Sequence, residues 1–178
     1  DYIITLCTTN KTADFINKQR LERLDGEIYM YEGIVEGNFP SNNLPTDLEL
    51  NLKVGAQVIF IRNDFQGRWV NGTLAKVVSL TADTVDVMLE NGDVHELEAH
   101  EWENKKYKWD LEKGKIDQEI LGTFTQFPLK LAWAITIHKS QGLTFDKAII
   151  DIGRGTFTHG QLYVALSRCR SLKGVALL

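Results

Sequence analysis

The order of pattern types along the chain constrains its fold more than any other feature. Both ends alternate strand-like and helix-like stretches, whereas the segment from Arg68 to about Phe127 holds only short strand-like runs. Near the start, Tyr2 to Cys7 reads as a buried strand. Thr8-Thr9-Asn10 then offers capping side chains for a helix expected over residues 11–24. Ala13, Phe15, Ile16 and Leu24 would form its apolar side, and Asp25-Gly26 would stop it. Residues 28–36 predict one strand, 38–47 a loop, and the alternating Leu48, Leu50 and Leu52 a half-buried strand. Gln57 to Ile61 predicts another.

In the middle, strands are expected at 74–80, 85–89, 94–97 and 107–111. Asn91-Gly92 is a two-residue hairpin signal. Short strands at this spacing suggest a small barrel. The last part returns to α/β character. A β-branched run at 147–152 suits a buried parallel strand. Thr158-x-x-Gln161 forms a capping box for a helix expected over 158–170, and a final strand follows. The pattern predicts an α/β domain interrupted by an inserted barrel. The chain opens and closes on apolar strands, so it is expected to be a piece of a longer protein.

Charge adds a direction to this organisation. The 178 residues carry a net charge of −4, which argues against a uniformly basic nucleic-acid binder. Residues 128–178 nonetheless hold seven Lys or Arg against two Asp or Glu, a balance of +5, while residues 1–127 hold 13 against 22, a balance of −9. Either an anionic partner meets the C-terminal third, or the basic residues cluster by chance. Cys7 and Cys169 lie far apart with no second ligand pair, which disfavours a zinc site or disulfide framework and predicts a reducing, cytoplasmic setting. No apolar run approaches a membrane span, so no membrane partner is expected.

Three stretches could carry chemistry. On a helix over 158–170, Gln161, Ala165 and Arg168 would share one face and Leu162, Leu166 and Cys169 the core face. Arg168 would then project as a fixed guanidinium suited to a phosphate or carboxylate; alternatively it is a surface side chain paired with an acid. Thr136-Ile137-His138-Lys139-Ser140-Gln141-Gly142 combines hydroxyls, a Lys and turn backbone, the usual phosphate ligands, although a merely polar loop has the same look. Trp69-Val70-Asn71-Gly72-Thr73 is turn chemistry. The chain contains no G-x-x-x-x-G-K-[ST]: Gly114-Lys115 is followed by Ile116 and lacks the upstream Gly.

Taken together and in this order, these stretches resemble the second motor half of a superfamily 1B DNA helicase of the Pif and RecD type. The most specific matches are 134–144, Ala-Ile-Thr-Ile-His-Lys-Ser-Gln-Gly-Leu-Thr, and 161–170, Gln-Leu-Tyr-Val-Ala-Leu-Ser-Arg-Cys-Arg. They are similar to that family's motifs V and VI. Leu6-Cys7-Thr8-Thr9-Asn10 with Ile16-Asn17 resembles motif IV, and Val70-Asn71-Gly72-Thr73 resembles the linker into the family's inserted domain.

The resemblance implies a RecA-like parallel-sheet domain, residues 1–67 and 128–178, interrupted at 68–127 by a small SH3-like β-barrel. It implies ATP and Mg²⁺ bound mainly by an N-terminal RecA-like domain of the same protein, and single-stranded DNA as partner. Arg168 would be an arginine finger. Gln141, Gly142 and Gln161 would lie on the nucleotide side. Thr9, Asn10, Thr136, His138, Lys139 and Ser140 would contact the DNA backbone, and Asn71 would fix the junction of barrel and core. The competing expectation is a non-enzymatic nucleic-acid- or protein-binding module on the same scaffold.

Overall fold

The structure, a computed structural model, describes residues 2–110, 114–153 and 160–178. In chain order the elements are β1 (Ile4–Cys7), α1 (Asn10–Glu22), β2 (Tyr29–Glu32), β3 (Ile34–Gly37), β4 (Glu49–Leu52), β5 (Gln57–Phe60), β6 (Leu74–Leu80), β7 (Val85–Leu89) and β8 (Val94–Leu97). They continue as β9 (His100–Asp110), β10 (Lys115–Gln126), β11 (Leu129–Leu131), β12 (Ala134–Thr136), β13 (Ala148–Asp151), α2 (Gln161–Leu166) and β14 (Val175–Leu177).

Four strands from the two ends of the chain form one parallel sheet in the order β12-β1-β13-β14. Parallel sheets need cover on both faces. Alternate residues of β1 supply it: Ile4 and Leu6 pack with Ile137, Phe145 and Ala165 on one side, while Cys7 packs with Ala13 of α1 on the other. Thr9 caps α1, its hydroxyl accepting from the Thr12 N–H at 3.2 Å. The helix turns Ala13, Asn17 and Leu21 inward, one residue per turn. Asn17 clamps it to the neighbouring strand. Its carboxamide donates to the Ala134 carbonyl at 2.8 Å and accepts from the Ala134 N–H at 2.8 Å. Phe15, expected on the apolar side, is 61% exposed, because it sits half a turn from Ala13 and Asn17.

The β-rich part holds a five-stranded antiparallel sheet ordered β11-β5-β6-β7-β8 and a three-stranded one ordered β3-β10-β9. Strands 74–80, 85–89 and 94–97 stand where the alternation places them, and Gly92, with φ +90°, turns β7 into β8. The single strand expected over 28–36 is instead two. It breaks at Gly33, whose backbone lies so close to the Phe124 ring that a Cβ would sit 2.6 Å from it. β2 then pairs with β4, and β3 with β10. The strand expected at 107–111 is one side of a long β9–β10 arm, with Leu111 outside the described residues.

β5 joins the two parts. It pairs with β6 and with β11, and all four of its residues are buried. Val58 and Phe60 face the core of the β-rich part, whereas Ile59 packs in the cluster under the parallel sheet. Gln57 donates to the carbonyls of Ala132 at 2.7 Å and Ile3 at 2.9 Å, tying β5 to both ends of the chain.

The last helix differs from expectation at both ends. Thr158, and with it the capping box, lies outside the described residues. α2 stops at Leu166 rather than at 170, because Cys169 peels away into a parallel bridge with Phe145. Its buried residue is Ala165, and Leu162, assigned to the core face by helical spacing, is exposed.

Candidate nucleotide and nucleic-acid interface

The parallel register sets the site. Cys7 of β1 lies beside Thr136 of β12, so the carboxyl ends of the two strands are level. Ligands of open α/β sheets bind off this edge. Thr9 and Asn10 leave it at the start of α1, and the 136–143 loop leaves it beside them. Thr9 and Asn10 are exposed, and the first amides of α1 point outward there.

The 136–143 loop is held by its own backbone. The Ile137 N–H donates to the Cys7 carbonyl at 2.9 Å, that of Ser140 to the Thr136 carbonyl at 3.0 Å, and that of Leu143 to the Ser140 carbonyl at 3.0 Å. Gly142 takes φ +80°, a conformation that disfavours any side chain. These turns divide the residues that the sequence groups together. His138, Lys139 and Gln141 project into solvent. Ser140 is fully buried and donates its hydroxyl to the Ile137 carbonyl at 2.7 Å. Thr136 is 5% exposed, and its hydroxyl accepts from the Lys139 N–H at 3.2 Å. Both hydroxyls bond within the turn, which holds the Thr136 and Ser140 side chains inside the loop.

Arg168 stands at the other end of this loop, in the turn after α2. Its Nε and Nη2 donate to the Ser167 hydroxyl at 3.3 and 3.0 Å, and its Nη1 to the Leu143 carbonyl at 3.5 Å. Its own carbonyl accepts from the Phe145 N–H at 2.8 Å. It makes no ion pair among the described residues; the acid beside it in the fold, Asp146, pairs with Arg170 at 3.3 Å. Gln161 opens α2, half-buried, and no hydrogen bond joins it to Arg168. The shared helical face inferred for these two residues does not extend past Leu166.

The 70–73 turn packs against the same loop. Asn71 is held through its N–H by the Asn63 side chain at 2.8 Å, and Gly72 by the Phe60 carbonyl at 2.8 Å. Beside it, Trp69 stacks on Phe60 at 4.3 Å and carries the Arg68 guanidinium over its outer face at 4.5 Å. Asp64 grips that guanidinium through both oxygens at 2.8 Å, which holds its carboxyl well below the usual range.

A cleft of about 980 Å³ opens between α1, β4 and the 136–143 loop, with Asn17, Asn71, Lys130, Lys139 and Leu143 on its walls. Lys130 escaped notice in the sequence, its only signal being a lysine inside an apolar strand. Burial pushes its ammonium pKa down and the charge of Lys139 adds to this, against the opposing pull of Asp47 and Asp14. Burial beside Asp151 likewise raises the Cys7 thiol to about 11, which leaves it a packing group. Among the described residues no group of three or more His, Cys, Asp or Glu could hold a metal ion. No helix among them is long and apolar enough to cross a membrane.

Comparison with known proteins puts a class to this arrangement. Residues 131–174 match the UvrD-like helicase C-terminal domain. The fold is a RecA-like helicase domain carrying a small β insertion. More particularly, the chain belongs with the Pif1-type helicases of superfamily 1B, and corresponds to their C-terminal part. It is 37% identical over 171 residues to the ATP-dependent DNA helicase Pif1 of Bdellovibrio bacteriovorus, covering 93% of this chain and 37% of that protein. It is 35% identical over 181 residues to human PIF1, covering 97% of this chain and 26% of that one. Unliganded Pif1 from Bacteroides superposes with a TM-score of 0.92 at 43% identity, over 99% of this chain and 40% of that one. Bacteroides Pif1 bound to ssDNA gives 0.78 at the same identity, over 98% of this chain and 40% of that one. The chain thus spans well under half the length of these relatives.

Proposed function

We propose that this chain is the second motor domain of an ATP-dependent DNA helicase that moves 5′ to 3′ on single-stranded DNA. The observation that carries the reading is one loop with two ends. At one end His138 and Lys139 stand exposed beside Thr9 and Asn10; at the other, past Gln141 and Gly142, Leu143 and Phe145 touch Arg168. A rigid loop between a phosphate-binding edge and a guanidinium suits a device that links nucleotide state to grip on a strand.

In this reading Thr9, Asn10, His138 and Lys139 bind the DNA backbone, and Thr136 and Ser140 keep the loop in shape. Arg168 reaches the γ-phosphate of ATP, with Gln141, Gly142 and Gln161 on the same side. ATP and Mg²⁺ are held mainly by an N-terminal RecA-like domain of the parent protein, in keeping with the missing phosphate loop. Arg168 stabilises charge that develops on the transferred phosphoryl group. The division into 1–67, 68–127 and 128–178 is supported by the parallel sheet, whose strands all lie in the outer segments, and by β6 to β10, which all lie in the middle one. We assign that middle segment to an SH3-like barrel, with β5 and β11 stitching it to the core.

The test is ATP turnover by the full-length parent with and without single-stranded DNA, in wild type and Arg168→Ala. The expected result is DNA-stimulated turnover that falls by about 10³ or more in the variant while nucleotide still binds. Turnover indifferent to both DNA and Arg168 overturns the reading in favour of a binding module. The isolated chain should bind single-stranded DNA weakly, with affinity falling as salt rises, and should not hydrolyse ATP. Binding that holds constant between 50 and 200 mM salt counts against the phosphate contacts.

A further inference from the structure

Among the described residues three acceptors hold the guanidinium of Arg168, and one of them belongs to a distant part of the chain. Val164 and Ser167, from its own helix and turn, supply two; the third is the Leu143 carbonyl. Among the described residues, Leu143 is therefore the one outside the Arg168 helix and turn that bonds the guanidinium. The backbone nearby is fixed as well. The Arg168 carbonyl and the Arg170 N–H both bond to Phe145, at 2.8 and 3.1 Å. A shift of Leu143 relative to Phe145 moves the guanidinium while its backbone stays in place.

The position of Leu143 is set from the opposite side by Gly72. A Cβ at residue 72 would stand 2.5 Å from Leu143 Cδ2, 3.2 Å from Cγ and 3.4 Å from Cβ. Three atoms of one side chain thus line up against a bare α-carbon. Gly72 also takes φ +93°, which any other residue adopts only under strain. Its N–H is bonded to the Phe60 carbonyl, and the Phe60 N–H is bonded to the Thr73 carbonyl at 3.0 Å. The turn is therefore fastened to β5. The contacts run without a gap from β5 to Gly72, to Leu143, to Arg168.

We infer that Gly72 and Leu143 are positioning residues for Arg168, setting the guanidinium from the junction between the β insertion and the parallel sheet. The inference rests on the reading of Arg168 as the group that meets the γ-phosphate. It explains why the 70–73 turn needs glycine in third place: the requirement is a close approach to Leu143 as well as a turn conformation. Neither residue touches substrate. Their effect is geometric, and displacements of about an ångström at a reacting centre cost up to 10²-fold in rate.

The experiment uses the full-length parent with saturating single-stranded DNA. Wild type, Arg168→Ala, Gly72→Ala and Leu143→Val are compared, together with Gly72→Ala and Leu143→Val each built into Arg168→Ala. The readouts are kcat and KM for ATP, DNA affinity and melting temperature. The expected result is that Gly72→Ala lowers kcat about tenfold or more and Leu143→Val lowers it about threefold. KM for ATP and DNA affinity should stay within about twofold. Neither change should lower kcat further once Arg168 is Ala, since residues that act through one group are not additive.

Wild-type kcat in both single variants, with Arg168→Ala strongly impaired, overturns the positioning role and leaves the function standing. So does a loss that is equally large in the Arg168→Ala background, which marks general damage to the fold. If Arg168→Ala itself turns over normally, the reading of Arg168 falls first and the inference falls with it. Should Gly72→Ala fail to fold, Leu143→Val decides by the same criteria.

Discussion

The parallel sheet and the β9–β10 arm are built on opposite plans. The sheet has four strands of three or four residues; its central strand β1 buries residues on both faces, and β13 buries Ala148 and Ile150 on one. The arm has two strands of 11 and 12 residues, and none of the described side chains of its outer half is buried. The two faces of the arm also exchange character along its length. At the base Trp102 and Phe124 stack inward at 5.7 Å. Beyond the irregularity between Ile120 and Gly122, the opposite face carries Tyr107, Trp109, Ile116 and Ile120, each more than half exposed. The face that continues from Trp102 there carries Lys108 and Glu119, paired at 2.6 Å. The sheet is thus held by water exclusion and the arm by its ladder of backbone hydrogen bonds. The groups proposed to carry chemistry all stand on the first plan.

If that contrast is sound, substitutions should sort by plan. The largest loss is expected at the strand that joins the parts. Phe60→Ala, at a fully buried ring, should cost about 3–5 kcal/mol in denaturant unfolding of the isolated chain. A loss below 1 kcal/mol would mean that β5 is not the common support described here. Asn17→Ala comes next. It strands the N–H and carbonyl of Ala134 at a buried position, and should cost about 2 kcal/mol. Asn17→Asp keeps the acceptor and loses the donor, so a smaller loss than that of Asn17→Ala would sharpen the account of the clamp. The smallest effect is expected on the arm. Tyr107→Ser and Trp109→Ser should each leave stability within about 0.5 kcal/mol. A drop comparable to that of Asn17→Ala would show that the outer arm is packed in solution, and would break the comparison.

The same contrast decides what could be read from the sequence. Strands 74–80, 85–89 and 94–97 are legible because one face is buried and the alternation records it, with Asn91-Gly92 marking a turn. The arm is not legible beyond a fragment at 107–111, since a ladder exposed on both faces leaves no apolar period. α2 is overextended by sequence reasoning because Ser167, Arg168 and Cys169 continue a helical pattern. A bridge to Phe145, remote in sequence, ends the helix. At the site, segment 136–142 is visible as a cluster of polar residues at a turn, and Gln161 and Arg168 as polar positions on a helical pattern. The burial of Thr136 and Ser140 is not, since a hydroxyl reads the same whether it serves a turn or a ligand. Nor is the approach of Gly72 to Leu143, which exists only because the β insertion folds back on the loop.

β5 buries Val58 and Phe60 in one core and Ile59 in the other, so the two cores share a wall. Neither can lose its packing without stripping contacts from the other. Domains inserted through long, exposed linkers melt separately, whereas cores with a common strand melt in concert. Calorimetry of this chain should therefore show one transition whose van't Hoff and calorimetric enthalpies agree, and two resolved transitions would contradict the shared wall. The thermodynamic unit is then larger than either architectural one, and mechanical load applied to the insertion is borne by the sheet as well.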